Sequence, residues 1–243
     1  MLNMVNIKSR HLAHGTIQNR IDSSWYSYEM RTLNQNDLPD VLELYNIVIN
    51  NLTNKNFLWR YTDEMVALFL TNKAVAAGVV VNKRLVGVRV LYFHDLDDKE
   101  NPLVDLDFPY KITADSALSI VHPDFRGNSL QRKMGLNILK MAQEDGAFEN
   151  FCSVVAPGNY ASIKDKFSLD MVVVKLLPKF SGLWRYVFYR NMNQSWEIDK
   201  ADIIFVASND YSQQIKLLEQ GYYGFRLAED KGVIGLCFGK RKL

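Results

Sequence analysis

The stretch Leu118-Ser-Ile-Val-His-Pro-Asp-Phe-Arg-Gly-Asn-Ser-Leu-Gln-Arg-Lys-Met134 opens as a short apolar strand, ends at a proline and breaks into a polar turn with one glycine. An amphipathic helix follows at once. A strand-to-helix turn of this kind aims several backbone N–H groups, and the positive end of a helix dipole, at one spot beyond the strand. That spot suits the phosphates of a nucleotide-like ligand, so the stretch reads as a diphosphate cradle.

Working outward, the helix after Asn128 is marked by Leu130, Met134, Ile138 and Met141 at intervals of three and four, with Leu136 and Leu139 beside them. Gly146 supplies its stop. An apolar face this broad implies burial against a sheet. Upstream, 74–81 and 84–93 read as two strands joined by a tight turn at 81–84, and 116–121 as a third. Gly78 and Gly87 fall mid-strand, where they indicate a bulge or the close approach of another backbone.

Asn36-Asp37-Leu38-Pro39 has the capping residue and early proline of a helix start. Leu38, Val41, Leu42, Tyr45, Val48, Ile49 and Leu52 then share one face. An aromatic connector at 57–61 leads to a second helix from Thr62 to near Asn72. Residues 1–27 show no sustained period and read as an N-terminal arm. His11 and His14 on it lack a third metal ligand nearby.

Past the long helix, 151–156 reads as a strand and 160–167 as a short helix. Strands follow at 171–177 and 184–190. After a linker at 191–200 come a strand at 203–207, a helix at 211–220 and strands at 222–227 and 233–238. The segments 154–162 and 205–212 share an Asn-x-x-Ser after a strand, a pattern that also arises by chance.

Composition narrows the field. The chain has 243 residues, 48% of them hydrophobic, enough for one sizeable core and a small appendage. Its 29 basic and 27 acidic side chains nearly cancel, so the overall field favours neither nucleic acid nor a membrane surface. Arg126, Arg132, Lys133, Lys140 and Lys164 read as ordinary basic helix faces. Two cysteines exclude a disulfide framework or CxxC zinc site, and Cys152 reads as a core thiol. The acidic loop 94–111 lacks the glycine and final glutamate of an EF-hand, so no metal is expected. With no stretch reading as a signal peptide or membrane span, the expected location is the cytoplasm.

The segment Val121-His-Pro-Asp-Phe-Arg126-Gly127-Asn-Ser-Leu-Gln131 resembles motif A of the GNAT acyltransferase superfamily, V-x-P-x-x-R-G-x-G and its sequel. The order of elements is similar too. The resemblance implies an α/β (α+β) fold: a mixed, mostly antiparallel sheet with a splayed central strand flanked by helices. It covers 28–190, leaving 191–243 as a small C-terminal αβ extension whose role, lid over the acceptor or contact of a homodimer, stays open.

From the resemblance, the backbone of Arg126, Gly127, Asn128, Ser129, Leu130 and Gln131 binds the pyrophosphate of acetyl-CoA. Ile120, Val121 and His122 pair with the pantetheine arm, with the Val121 region polarising the thioester. Asn159 and Ser162 match the cofactor-side Asn and small residue of the short helix. Three departures stand out. Ser129 replaces the turn's second glycine, which matters if that position needs positive φ. The general-acid tyrosine of many relatives falls near Lys166, leaving Lys166, Tyr160 or water to protonate the thiolate. Leu169-Asp170-Met171 replaces the usual Leu-Gly-Phe.

The resemblance also implies a strand carboxylate as base. Asp115 is the nearest, although a strand-start residue can equally stand exposed; His122 is a further candidate. The expected function is thus acetyl-CoA-dependent acetylation of a primary amine by direct attack in a ternary complex. A catalytically silent GNAT-like domain that binds acyl-CoA as a sensor or interaction module is the alternative. The acceptor is unnamed by the sequence, because variable loops set it.

Overall fold

The computed structural model describes residues 10–94, 113–146, 148–180, 182–194, 197–199 and 201–242. The described residues up to Phe148 form one compact unit and those from Glu149 a second. The acidic loop expected at 94–111 lies outside the described residues from Asp95 onward.

In the first unit, β1 (His11–Gln18), β2 (Trp25–Thr32), β3 (Ala74–Val81), β4 (Arg84–Tyr92) and β5 (Thr113–Val121) are neighbours in that order, each antiparallel to the next. The presence of β1 corrects the reading of 1–27 as an arm. Its pairing runs to Gln18↔Trp25, yet within β1 only Ile17 is fully buried. An edge strand so polar gives no period-two signal to read.

Two helices cover one face of these strands. Asn34 caps a short 3-10 turn and forms a capping box with Asp37, whose carboxylate also takes Arg31 Nη2 at 2.6 Å. Then α1 (Leu38–Asn50) starts with its early proline and buries Val41, Leu44, Tyr45 and Val48. Thr62 caps α2 (Asp63–Leu68), shorter than expected. These helices enclose a core with Ala76, Val88, Val90, Tyr92, Leu118 and Ile120.

The cradle helix, α3 (Leu130–Glu144), buries Leu130 and Met134 in a second core against Ile17, Met30, Val79 and Val86. Gly87 lets it approach: a Cβ there would lie 3.3 Å from Met134 Cε. The β3–β4 turn places Asn82 and Lys83 at φ 48° and 65°, as a two-residue hairpin of type I′ requires.

The second unit orders β6 (Asn150–Val155), β7 (Val172–Lys179), β8 (Leu183–Asn191), β9 (Ile204–Ala207), β10 (Tyr222–Asp230) and β11 (Val233–Lys240) as β6-β8-β7-β10-β11-β9, again antiparallel. Its helices are α4 (Tyr160–Phe167) and α5 (Tyr211–Glu219). The fully buried Gln214 on α5 accepts from Tyr186 Oη at 2.7 Å and donates to the Ala207 carbonyl. Because Gly224 on β10 pairs with Val173 on β7, residues beyond 191 join the same unit as β6–β8. The expected break near 190 is therefore not a break between compact units.

Candidate active site

The turn after β5 is built by three local choices. His122 leaves the strand with its N–H bonded to the Val86 carbonyl at 2.8 Å, and Pro123–Phe125 makes one 3-10 turn. Gly127 then adopts φ 90° and Ser129 φ 55°. Two left-handed residues in three reverse the chain, and α3 then lies against the strands, with Gln131 bonded to Ser119 O on β5 and Met134 against Gly87 on β4. Ser129 thus occupies a conformation that favours glycine, and its side chain makes no capping bond.

The result has the chemistry of an anion site. The amides of Gly127, Asn128 and Ser129 donate to no acceptor among the described residues. Those of Leu130, Gln131 and Arg132 are first-turn amides without intrahelical acceptors. A Cβ on Gly127 would meet nothing within 4 Å, so the backbone is open to a ligand. Arg126 and Gly127 are solvent-exposed as residues, yet protein packed about the Arg126 guanidinium strips part of its hydration, and this, with Arg20 nearby, lowers its pKa from the usual value. These observations fit a diphosphate on the turn, as the sequence suggests for residues 126–131.

Some side chains there are already committed. Asn128 Oδ1 accepts the Gln18 N–H at 2.9 Å, and its Nδ2 donates to Gln18 O at 2.8 Å and Phe125 O at 3.0 Å. The β1 end is thereby stitched to the turn, and the Arg20 N–H adds a bond to Asp124 O at 2.8 Å. Gln131 Nε2 reaches back to Ser119 O at 3.0 Å. His122 is buried, and its Nδ1 accepts the Asp124 N–H at 3.2 Å. Burial above all, then Arg84, pulls its pKa down against the pull of Asp124, keeping the ring neutral with that nitrogen occupied. The Asp124 carboxylate 3.7 Å away is thus a neighbour of a neutral ring and no ion pair. His122 serves as a cap here, which disfavours it as a base.

Farther down β5 the strand bulges. Val90 faces Leu118 but Tyr92 faces Asp115, so β5 carries one extra residue between these pairs. Alternation from Ile120 and Leu118 would put residue 116 on the α1 face; the extra residue puts Asp115 there. Ser116 turns to the other face, where it accepts from Arg89 Nη2 at 3.2 Å. Asp115 is 5% exposed, which corrects the reading of it as an exposed strand start.

On the α1 face Asp115 Oδ2 meets His94 Nε2 at 3.3 Å, and the His94 ring stands edge-on to Tyr92, centroids 4.7 Å apart. Tyr61 Oη donates to the Ala117 carbonyl at 3.0 Å, fastening the bulge. Burial, then the Asp115 charge, then Tyr45 push the Tyr61 phenol pKa up, so it stays a donor. Arg89, wholly buried on β4, also donates to the Gln131 carbonyl at 3.0 Å and so links bulge to cradle. Sequence reasoning missed both His94 and Arg89; a lone arginine inside the apolar run of β4 was the available signal.

The remaining candidates stand in the second unit. Asn159 Oδ1 accepts the Ser162 N–H at 3.2 Å and caps α4, which joins those two as a start-of-helix pair. Tyr160 Oη lies 3.0 Å from Ser208 Oγ. Lys166 is 2% exposed, with Nζ 3.0 Å from Asp165 Oδ2. A buried, ion-paired ammonium is poorly set to deliver a proton to a leaving thiolate. Among the described residues no cluster of three or more His, Cys, Asp or Glu could hold a metal, and no helix is long and apolar enough to cross a membrane.

No protein-family model and no curated protein matches the chain. Solved structures do. An N-acetyltransferase of Staphylococcus aureus Mu50 has a TM-score of 0.54 at 13% identity, over 69% of this chain and 99% of that one. For yncA of Salmonella typhimurium, solved with its cofactor acetyl-CoA, the score is 0.54 at 16% identity, over 71% and 98%. For the ribosomal-protein-S18-alanine N-acetyltransferase of Escherichia coli it is 0.51 at 14% identity, over 70% and 97%. The architecture is a mixed α+β fold built on antiparallel strands. More particularly, it is the fold of the GNAT N-acetyltransferases.

Proposed function

We propose that the protein transfers the acetyl group of acetyl-CoA to a primary amine by direct attack in a ternary complex, residues 28–190 carrying the reaction. The observation that carries this reading is the turn at Gly127 and Ser129, with its unengaged amides under open space at the head of α3. The fold, and a neighbour solved with acetyl-CoA, support it. Neighbours named for the α-amine of ribosomal L7/L12 and for ribosomal S18 alanine favour an amine acceptor. The binding roles expected for Ile120, Val121, His122, residues 126–131, Asn159 and Ser162 belong to this proposal, as does a cytoplasmic location.

Chain geometry modifies one assignment. Pantetheine, with its two amide bonds, extends about as far as four to five residues, roughly 15 Å. Laid along β5 from the turn, at about 3.3 Å per residue, it ends near the bulge at 116–117. Val121 then lies beside the phosphate end, and the thioester lies near Asp115. This favours Asp115 over His122 in proton transfer. The neutral amine nitrogen bonds to the acetyl carbon, the C–S bond breaks, the nitrogen gives up one proton through the site and keeps the other as the amide N–H, and the thiolate takes one proton from solvent.

Isothermal titration with acetyl-CoA tests the reading: micromolar to sub-millimolar binding is expected, and none at millimolar levels would end it. A second reading, a silent GNAT-like acyl-CoA binder, is favoured by the burial of Lys166 where relatives place an acid. Thiol release from acetyl-CoA with spermidine, free amino acids and N-terminally free peptides separates the two, since a silent domain binds without turnover.

A further inference from the structure

We infer that β9–α5–β10–β11 is a second copy of the module β6–α4–β7–β8 and serves it as a built-in partner, seated on the β7 edge where a second chain would sit in a two-fold dimer. All of these elements belong to the second unit. The inference goes beyond the acetyltransferase reading and does not depend on it.

The order β6-β8-β7-β10-β11-β9 reads the same from either end once β6 is matched to β9, β7 to β10 and β8 to β11. Local detail matches as well. Asn159 and Asp210 each cap their helix by accepting a backbone N–H three residues on, from Ser162 and from Gln213. Past the helix, Asp170 and Gly221 take φ 57° and 80°. In the hairpins a register shift follows Val173 in one and Gly224 in the other. The turns then start at Phe180 and Lys231, with φ 49° and 48°. These four pairs keep one spacing along the chain. Beyond the second turn, which is a residue tighter, the fully buried Phe188 and Phe238 face Ser153 and Ile204, themselves a pair at that same spacing. Caps, left-handed residues and bulges arise from separate local causes, so their agreement in order and spacing marks one module used twice.

The two copies dock as an isologous pair does, each giving the other what it receives. Helix α4 packs on β10, and α5 packs on β7. At the junction Val173 pairs with Gly224, its own counterpart, so the approximate two-fold axis passes through this pair. A strict dimer would set one residue against itself there. A Cβ on Gly224 would lie 3.0 Å from Val173 Cβ, so valine on both sides would crowd the axis. A chain that carries both copies can keep valine in one and glycine in the other. Buried contacts have diverged in the same way. Tyr186 of the first copy donates to Gln214 of the second, while their counterparts Leu236 and Ile163 are apolar and fully buried. The second copy thus covers an edge strand that would otherwise offer unpaired backbone groups to another chain. It is a partner and no second anion site, because Asp210 sets a carboxylate at the helix start where the first copy has the neutral Asn159.

Cross-linking of the full chain tests this. Val173→Cys combined with Gly224→Cys, oxidised in dilute solution, should form a disulfide between the two substituted positions and run as a single chain on a non-reducing gel. A link joining two chains, or no link, would overturn the inference. Should that variant fail to fold, the wild type decides: 14N- and 15N-labelled chains are refolded together in equal amounts and cross-linked through their lysines. Links from 149–191 to 201–242 should each carry a single label. Mixed labels in about half of them, as exchange of the second copy between chains produces, would place the partner in trans and overturn it. Titration with acetyl-CoA should find no more than one site per chain; two would make the second copy a binding module in its own right and not a partner alone.

Discussion

The Asn128 carboxamide pairs with the backbone of Gln18 as a second strand would, accepting its N–H at 2.9 Å and returning a bond to its carbonyl at 2.8 Å. A side chain in the cradle thus continues the ladder of the N-terminal hairpin.

Replacing Asn128 by Ala removes both bonds and a third to the Phe125 carbonyl. The expected cost is about 1–3 kcal/mol, moderated by partial exposure. It should appear as a lower thermal midpoint and as faster hydrogen exchange of the Gln18 amide. Unchanged exchange would mean that the hairpin holds itself.

Ser129 at φ 55° carries strain that glycine would not. Ser129→Val, with a β-branched side chain, should destabilise by about 1–3 kcal/mol. Ser129→Gly should be neutral or stabilising by up to about 1 kcal/mol, the relief being partly offset by chain entropy. Denaturant midpoints of the three proteins check the order, and acetyl-CoA affinity is expected to follow it.

His122 is held below its ordinary pKa, chiefly by burial. The unfolded chain therefore binds a proton that the folded chain refuses, and the favourable contribution is lost as pH falls through about 6.5 toward the lower folded value. Melts from pH 8 to 5 should show this decline, and His122→Asn, which can still accept the Asp124 N–H, should flatten it. An equal slope in both proteins would refute the assignment.

Lys166 and Asp165 form a buried pair. Lys166→Met removes the cation 3.0 Å from the buried Asp165 carboxylate and should destabilise by up to about 3–5 kcal/mol, whereas replacing both residues by apolar ones should recover much of it. If Lys166→Met kept full stability and lost only the alkaline limb of the rate profile, Lys166 would be an acid after all.

Much of this was legible in the chain. The α4 boundaries were read to the residue, because Asn159 caps and Phe167 closes an uninterrupted pattern. The hairpin of β3 and β4 followed from Val-rich runs around Asn82-Lys83; of the two readings of Gly87, the bulge is present as the register shift beside it, and what lies against it is the Met134 side chain and no second backbone. What escaped was non-local or hidden by polarity. With a single fully buried residue, β1 leaves no alternation to detect. The β5 bulge exists only as a register against β4, and without it Asp115 would be assigned to the wrong face. His94 gains its meaning from a residue 21 positions away. The positive φ of Ser129 was a question the sequence could pose and only the backbone could answer.

The stitch between Gln18 and Asn128 spans 110 positions. The turn that looks like a compact, portable motif is therefore a late and global product of folding, since its anchor must close a loop of that length before bonds repay the lost entropy. A ribosome would release the hairpin long before its partner. Grafted onto another scaffold, residues 118–144 would bring the helix and the glycine but leave behind the strand that holds the cradle in shape.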